Sequence, residues 1–174
     1  MNVSLPLTSH VMDKMRLESL MLKDRPVVPP DSVIHTFSHI KGDKIDFVLS
    51  QDQEGLCPES FIIRQGEWAK FFLDTWFDPL YRSYNFQKAE GHALEHIVQW
   101  HPTILTKLAL VPQRMLNSYS VIVDSRGGKE VTFQLYDFIV RAVGCEKDSS
   151  RNCFTELEPW HKQWKADMEN IKPE

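Results

Sequence analysis

Asp52, Glu54 and Gly55 fall in the tract SQDQEGL, directly after the apolar run IDFVL. Two carboxylates in such a loop can hold a metal ion or accept hydrogen bonds from sugar hydroxyls; the plainer reading is a solvated acidic turn. Further on, AEGHALEH puts Glu90 at the start of a helical tract. A helix N-terminus favours an ionised carboxylate there, and composition alone asks for no more than a first-turn acid. His92, Glu95 and His96 spell H-x-x-E-H, the inverted zinc-protease motif, with two imidazoles four apart on one helix face. Three fixed positions recur by chance, and a zinc hydrolase needs a third ligand, for which only Glu130 and Glu156 offer themselves, neither with a mark of its own. Arg141, before Ala-Val-Gly-Cys, can pair with a diphosphate or sit as a surface guanidinium on a strand end. Tyr81, Tyr84 and Asn85, in a polar and aromatic tract, and Asn117 and Tyr119, after LVPQRML, are candidates for sugar contact. Trp68, Trp76 and Trp100 can stack on sugar rings, but their helical spacing assigns them to a core.

The elements that must position these groups are legible from periodicity. Apolar side chains at Met12, Met15, Leu17, Leu20 and Met21 predict a helix over 11–23. Pro26, Pro29 and Pro30 interrupt it, and Asp31 can cap a short helix through Phe37 that Gly42 closes. Residues 45–49 and 60–63 read as strands separated by a polar loop from Gln51 to Glu59. After Gly66 a helix carries Trp68, Phe72 and Trp76 on one face. Residues 89–100 form another, with Ala93, Ile97 and Trp100 inward and Pro102 ending it. Thr103 to Leu108 reads as helical or turn-like, and Leu110 to Leu116 as extended. Gly127 and Gly128 precede two expected strands, VTFQL and FIVRAV, and a polar helix follows Cys153. Strands alternating with helices make this an α/β layer structure with a mixed sheet. Ligands in such sheets gather beyond the carboxyl ends of the strands, which singles out the loop after Leu49 and the tract before Ala89.

A chain of 174 residues with 42% hydrophobic and 25% charged residues suits a globular domain with a real core. Its net charge of −4 gives no reason to propose nucleic acid, which calls for a basic excess. No apolar run approaches the ~20 residues that span a bilayer, and no signal-peptide pattern opens the sequence. Of three cysteines, Cys145 and Cys153 flank the polar tract EKDSSRN. That spacing permits a local disulfide, whereas free thiols are the default outside an oxidising compartment. Cys57 reads as a small packed residue.

The phrases IIRQGEWAKFFLDTW and ALEHIVQWHPTIL, followed by LALVPQR, resemble the fungal branch of glycosyltransferase family 34, the α-galactosyl- and α-1,6-mannosyltransferases of Golgi mannan synthesis. The resemblance runs from about Met1 to Cys153, with 154–174 as a polar C-terminal helix or tail. It implies a GT-A-type fold, of which this chain is the C-terminal portion. MNVSLPLTSHVMD resembles the stretch that follows the family's Asp-x-Asp motif, so the nucleotide-sugar half and a type II membrane anchor are expected upstream, outside this chain. Implied with it are manganese, a GDP-mannose or UDP-galactose donor, a glycan acceptor, retention of the α configuration, the lumenal side of the Golgi membrane, and a hetero-oligomeric mannosyltransferase complex. A Golgi lumen turns the Cys145 and Cys153 reading toward a disulfide.

Residue by residue, Gly55, Leu56, Ser60 and Phe61 match a Gly-Leu-Asn-x-Gly-Ser-Phe pattern that follows a site Asp, here Asp52, while Cys57 and Glu59 replace its Asn and Gly. Glu90 falls on the family's acidic site residue, able to stabilise an oxocarbenium-like sugar or act as nucleophile, with Gly91 in place of Gln. Arg141 stands where many members have a metal-binding His; an arginine stays protonated and cannot ligate, so it is expected to face the donor diphosphate. Asp52, Gly55, Ser60, His92, Asn117 and Arg141 are thereby expected to contact substrate or donor. The metal ligands are expected outside this chain. The alternative is a non-catalytic relative serving as a subunit of a mannosyltransferase complex.

Overall fold

The computed structural model describes residues 13–27, 33–83, 89–121, 128–134 and 137–170. These fall into two compact units, one spanning Lys14–Pro112 and the other running on from Gln113.

The first unit is built on a three-stranded mixed sheet in the order β2-β1-β3, with β1 at Phe47–Asp52, β2 at Gly55–Ile63 and β3 at Leu108–Leu110. β1 pairs antiparallel with β2 and parallel with β3. The expected polar loop from Gln51 to Glu59 is in fact the end of a hairpin: the strands meet across Gln53 and Glu54, with Asp52 opposite Gly55. Gly55 makes so tight a reversal possible, because its φ of 130° lies where side chains with a Cβ are strained. Pairing jumps from Leu49↔Phe61 to Ser50↔Cys57, so that Pro58, Glu59 and Ser60 are accommodated within a bulge. Proline has no amide hydrogen for the ladder, which accounts for a bulge at this point.

Helices α2 (Glu67–Trp76), α3 (Pro79–Ser83), α4 (Ala89–Trp100) and α5 (Pro102–Leu105) lie between β2 and β3 in the chain. Trp68, Phe72 and Trp76 share one face of α2, as their spacing predicts, and Phe72 and Trp76 are buried. Phe47 of β1 meets Phe72 and Phe61 at ring separations of 4.8 and 5.5 Å. α4 contributes Ala93, Leu94, Ile97 and Val98 to the same core. Trp100, expected inward, is 74% exposed. The helix ends there, and Ile104 and Leu105 of α5 are buried in the core instead.

Helix α1 (Lys14–Leu20) is shorter than the spacing suggested and buries Leu17, while Met15 is exposed. The expected helix up to Phe37 is absent from its described residues. Pro26 and His35 form an antiparallel bridge there, and the Thr36 hydroxyl donates to the Leu22 carbonyl at 2.7 Å. Pro26 has no amide hydrogen for a helix, and the backbone bonds Val27 N–H to Ile34 O and Thr36 N–H to Arg25 O satisfy the bridged segment instead. Asp31 lies outside the described residues.

In the second unit a 3₁₀ turn at Gln113–Met115, rather than extended chain, leads into β4 (Ser118–Tyr119), which pairs in parallel with β5 (Val140–Arg141). Of the two strands expected after Gly128, VTFQL provides only a bridge from Thr132 to Tyr119, and FIVRAV only β5. Helix α6 spans Cys153–Asn170, with Trp160 against Phe133 at 4.4 Å. Cys145 and Cys153 are joined in a disulfide. Among the described residues no helix is long and apolar enough to cross a membrane.

Candidate functional site

The singled-out residues fall in two sets, one in each unit. The first lies along the β1–β2 hairpin and on α4, which packs on β2. Asp52 closes β1, and its Oδ1 accepts the Glu54 amide at 2.8 Å, a turn that aims the tip of the hairpin. Gly55 is buried under α4: the Glu95 Oε1 accepts the Leu56 amide at 3.4 Å, and a Cβ added to Gly55 would overlap that oxygen. Glu90 lies in the first turn of α4 with its side chain exposed, and its backbone carbonyl accepts the Trp76 indole N–H at 2.9 Å. His92 is half-buried about one turn before Glu95. Ser60 sits half-buried in the bulge of β2, and Cys57 is buried opposite Ser50. The side chains of this group thus come from a strand end, a hairpin reversal and a helix start.

The second group surrounds β4 and β5. Arg141 Nη1 donates to Asn117 Oδ1 at 2.7 Å, and Asn117 is fully buried. Tyr119, considered for sugar contact, is fully buried as well. A denser lattice underlies them. Asp137 accepts from Arg114 Nε and Nη2, at 2.9 and 2.7 Å, and from the Ser118 hydroxyl and the Gln134 amide. The hydrogen bond to Asp137 raises the Arg114 pKa. Sequence reading missed Asp137, since nothing in QLYDFIV distinguishes it. Tyr84 and Asn85 lie outside the described residues, as does the side chain of Tyr81.

Glu156, a candidate third zinc ligand, is instead bound by Arg151 through two nitrogens and by the Ser120 hydroxyl. Burial pushes its carboxyl up, but the hydrogen bonds from Arg151 and Ser120 outweigh burial and bring it below the ordinary 4.5. A carboxyl lowered on folding stabilises in full above its unfolded value, and this contribution is lost as pH falls through the folded one. Glu156→Gln is therefore expected to cost about 2 kcal/mol near pH 7. The gap from the parent should close below about 4.5, read as denaturation midpoints against pH. A gap that persists unchanged at low pH would assign the loss to packing.

Among the described residues no three His, Cys, Asp or Glu side chains converge to hold a metal. Glu130 is exposed on a 3₁₀ turn, so the H-x-x-E-H motif finds no third ligand there. The same count bears on manganese. Arg141 occupies the one position in this chain to which the resemblance gives a ligand, and a guanidinium cannot serve. The described residues do not fit a manganese centre.

A hairpin tip and a helix start presenting carboxylates, on a mixed sheet flanked by helices, suit recognition of a polyhydroxylated substrate. Residues 1–152 match the galactosyl transferase GMA12/MNN10 family, and the chain belongs to it. An uncharacterized alpha-1,2-galactosyltransferase of Schizosaccharomyces pombe is 31% identical over 146 residues, 84% of this chain and 43% of the relative. A probable alpha-1,6-mannosyltransferase of Saccharomyces cerevisiae is 31% identical over 132 residues, 73% of this chain and 31% of the relative. A second probable alpha-1,6-mannosyltransferase of that yeast is 27% identical over 166 residues, 91% of this chain and 41% of the relative. The chain thus spans between 31% and 43% of the length of these relatives. No solved structure matches it.

Proposed function

We propose that this chain is part of a retaining hexosyltransferase of the Golgi mannan or galactomannan pathway, moving mannose or galactose from a nucleotide sugar to a glycan. The observation that carries this reading is Glu90 on the first turn of α4, its backbone tied to Trp76 and its helix tied to the hairpin end that bears Asp52. A carboxylate so placed can face positive charge developing on a sugar ring, while Asp52 and Ser60 bind hydroxyls. The supporting fold reading is the C-terminal portion of a GT-A-type domain on the lumenal side of the Golgi membrane, with a type II anchor upstream. Arg141, aimed by Asn117, is a cation suited to a donor diphosphate. Manganese, when bound, supplies charge neutralisation of that diphosphate; this chain's described residues do not assemble its ligands.

A second reading has its own support. Cys57, Glu59 and Gly91 in one unit and Arg141 in the other depart from the family's pattern, as a non-catalytic subunit of a mannosyltransferase complex would. Donor titration and a transfer assay separate the two. Residues 1–174 alone are expected to show no micromolar, manganese-dependent binding of GDP-mannose or UDP-galactose. Expressed with whatever sequence flanks it, the protein should transfer hexose to an α-mannoside acceptor with retention. Failure with both donors, in protein that co-purifies with an active mannosyltransferase, would establish the subunit reading instead.

A further inference from the structure

We infer that Glu95 is a positioning residue: it locks the reversal at Gly55, and with it Asp52, against the helix that carries Glu90 and His92. The inference deepens the reading above and rests on it for its catalytic consequence. Gly55 is required here on two separate grounds. Its φ of 130° excludes an ordinary side chain, and the space a Cβ would take is already held by the Glu95 carboxylate. That carboxylate accepts the amide of the next residue, Leu56, from a position on α4 that lies 39 residues away in sequence.

Within the hairpin, the Glu54 amide donates to Asp52 Oδ1 at 2.8 Å and shapes the tip. The Trp76 indole N–H holds the start of α4 through the Glu90 carbonyl. Glu95 supplies a polar link between hairpin and helix, beyond that anchor along α4. Two points of attachment fix a helix against rotation about its own axis, which one would not. The apolar contacts of Ala93, Leu94, Ile97 and Val98 press α4 on the sheet, but dispersion contacts are not directional. Directional contacts such as these two fix how α4, and with it Glu90 and His92, is turned relative to the hairpin. This role also gives the acid of the H-x-x-E-H motif a function that needs no zinc.

Hydrogen exchange on the full 174-residue chain and kinetics on the protein with its flanking sequence test the assignment together. Glu95→Ala should raise exchange at the amides of residues 53–56 about tenfold, with Val48 and Leu49 unchanged, because only local opening is affected. Glu95→Gln keeps an acceptor oxygen and should restore protection. Glu95→Asp, which withdraws the carboxylate by one methylene, should loosen the same amides and serves if the alanine variant does not fold. In the active protein Glu95→Ala should lower kcat about tenfold with donor KM nearly constant, as loss of orientation does, and Glu95→Gln should recover it. Unchanged exchange at the tip overturns the inference, as does a loosened tip with normal kcat. Equal loss in the Gln and Ala variants overturns it too, since the charge would then act on the reaction itself. If the parent transfers no sugar, the functional reading falls, while the exchange arm still decides whether Glu95 holds the hairpin.

Discussion

Phe47→Ala is expected to lose about 4 kcal/mol of unfolding free energy, at the upper end for removal of one aromatic side chain from a core. Phe47 is fully buried on the central strand of the sheet. Its ring meets Phe61 of β2 and both Phe72 and Trp76 of α2, at centroid separations from 4.8 to 6.2 Å. Removing it takes away buried apolar area and leaves a cavity lined by three aromatic rings that cannot all close on it. Edge and tilted aromatic contacts add about 1 kcal/mol each beyond burial, so the loss exceeds that of an aliphatic truncation nearby. Phe47→Leu should cost about half as much. Urea denaturation of the three proteins checks the order. A loss under about 1 kcal/mol for the alanine variant would mean that the sheet and α2 do not pack as described.

Glu90→Gln, in protein expressed with its flanking sequence, should lower turnover about a hundredfold with the melting temperature nearly unchanged. The carboxylate is exposed in the first turn of α4, so exchanging it for an amide removes only about 0.5 kcal/mol of interaction with the helix dipole. A carboxylate opposed to an oxocarbenium-like sugar contributes far more, about 3 kcal/mol, which is the hundredfold in rate. The tie from Trp76 to Glu90 runs through the backbone carbonyl and survives the substitution, so the amide occupies the same place. His92→Ala and His96→Ala are the companions: a zinc hydrolase would need both imidazoles, and a transferase needs no zinc. Full turnover in Glu90→Gln would make Glu90 an ordinary first-turn acid and end its assignment to the reaction.

Both expectations rest on features with different visibility in the amino-acid string. The aromatic face of α2 and the extent of α4 were legible, because a helix repeats its buried positions every three to four residues and Trp68, Phe72 and Trp76 keep that spacing. The class, a mixed sheet with helices, followed from the alternation of patterns. Family membership was legible too, since long aromatic-rich phrases carry more information than any single motif.

The hairpin was not. Gln51 to Glu59 is polar and holds a proline, the local signature of a loop, yet pairing with β1 and the cover of α4 draw it into the sheet. The short strands β4 and β5 are likewise decided by partners, for two-residue strands have no periodicity to display. Asp137 looks like any other acid in sequence, and Glu95 stands out only as the acid of a short motif whose zinc reading the structure does not support. One gains its meaning from Arg114 and the other from Gly55, residues far away along the chain. The sequence alone determined what repeats locally or is shared across a long phrase: helices, apolar faces and kinship. Only the tertiary structure decided which carboxylates are held, and by what, because hydrogen bonds between distant segments depend on where the backbone brings them and leave no mark on the residues in between.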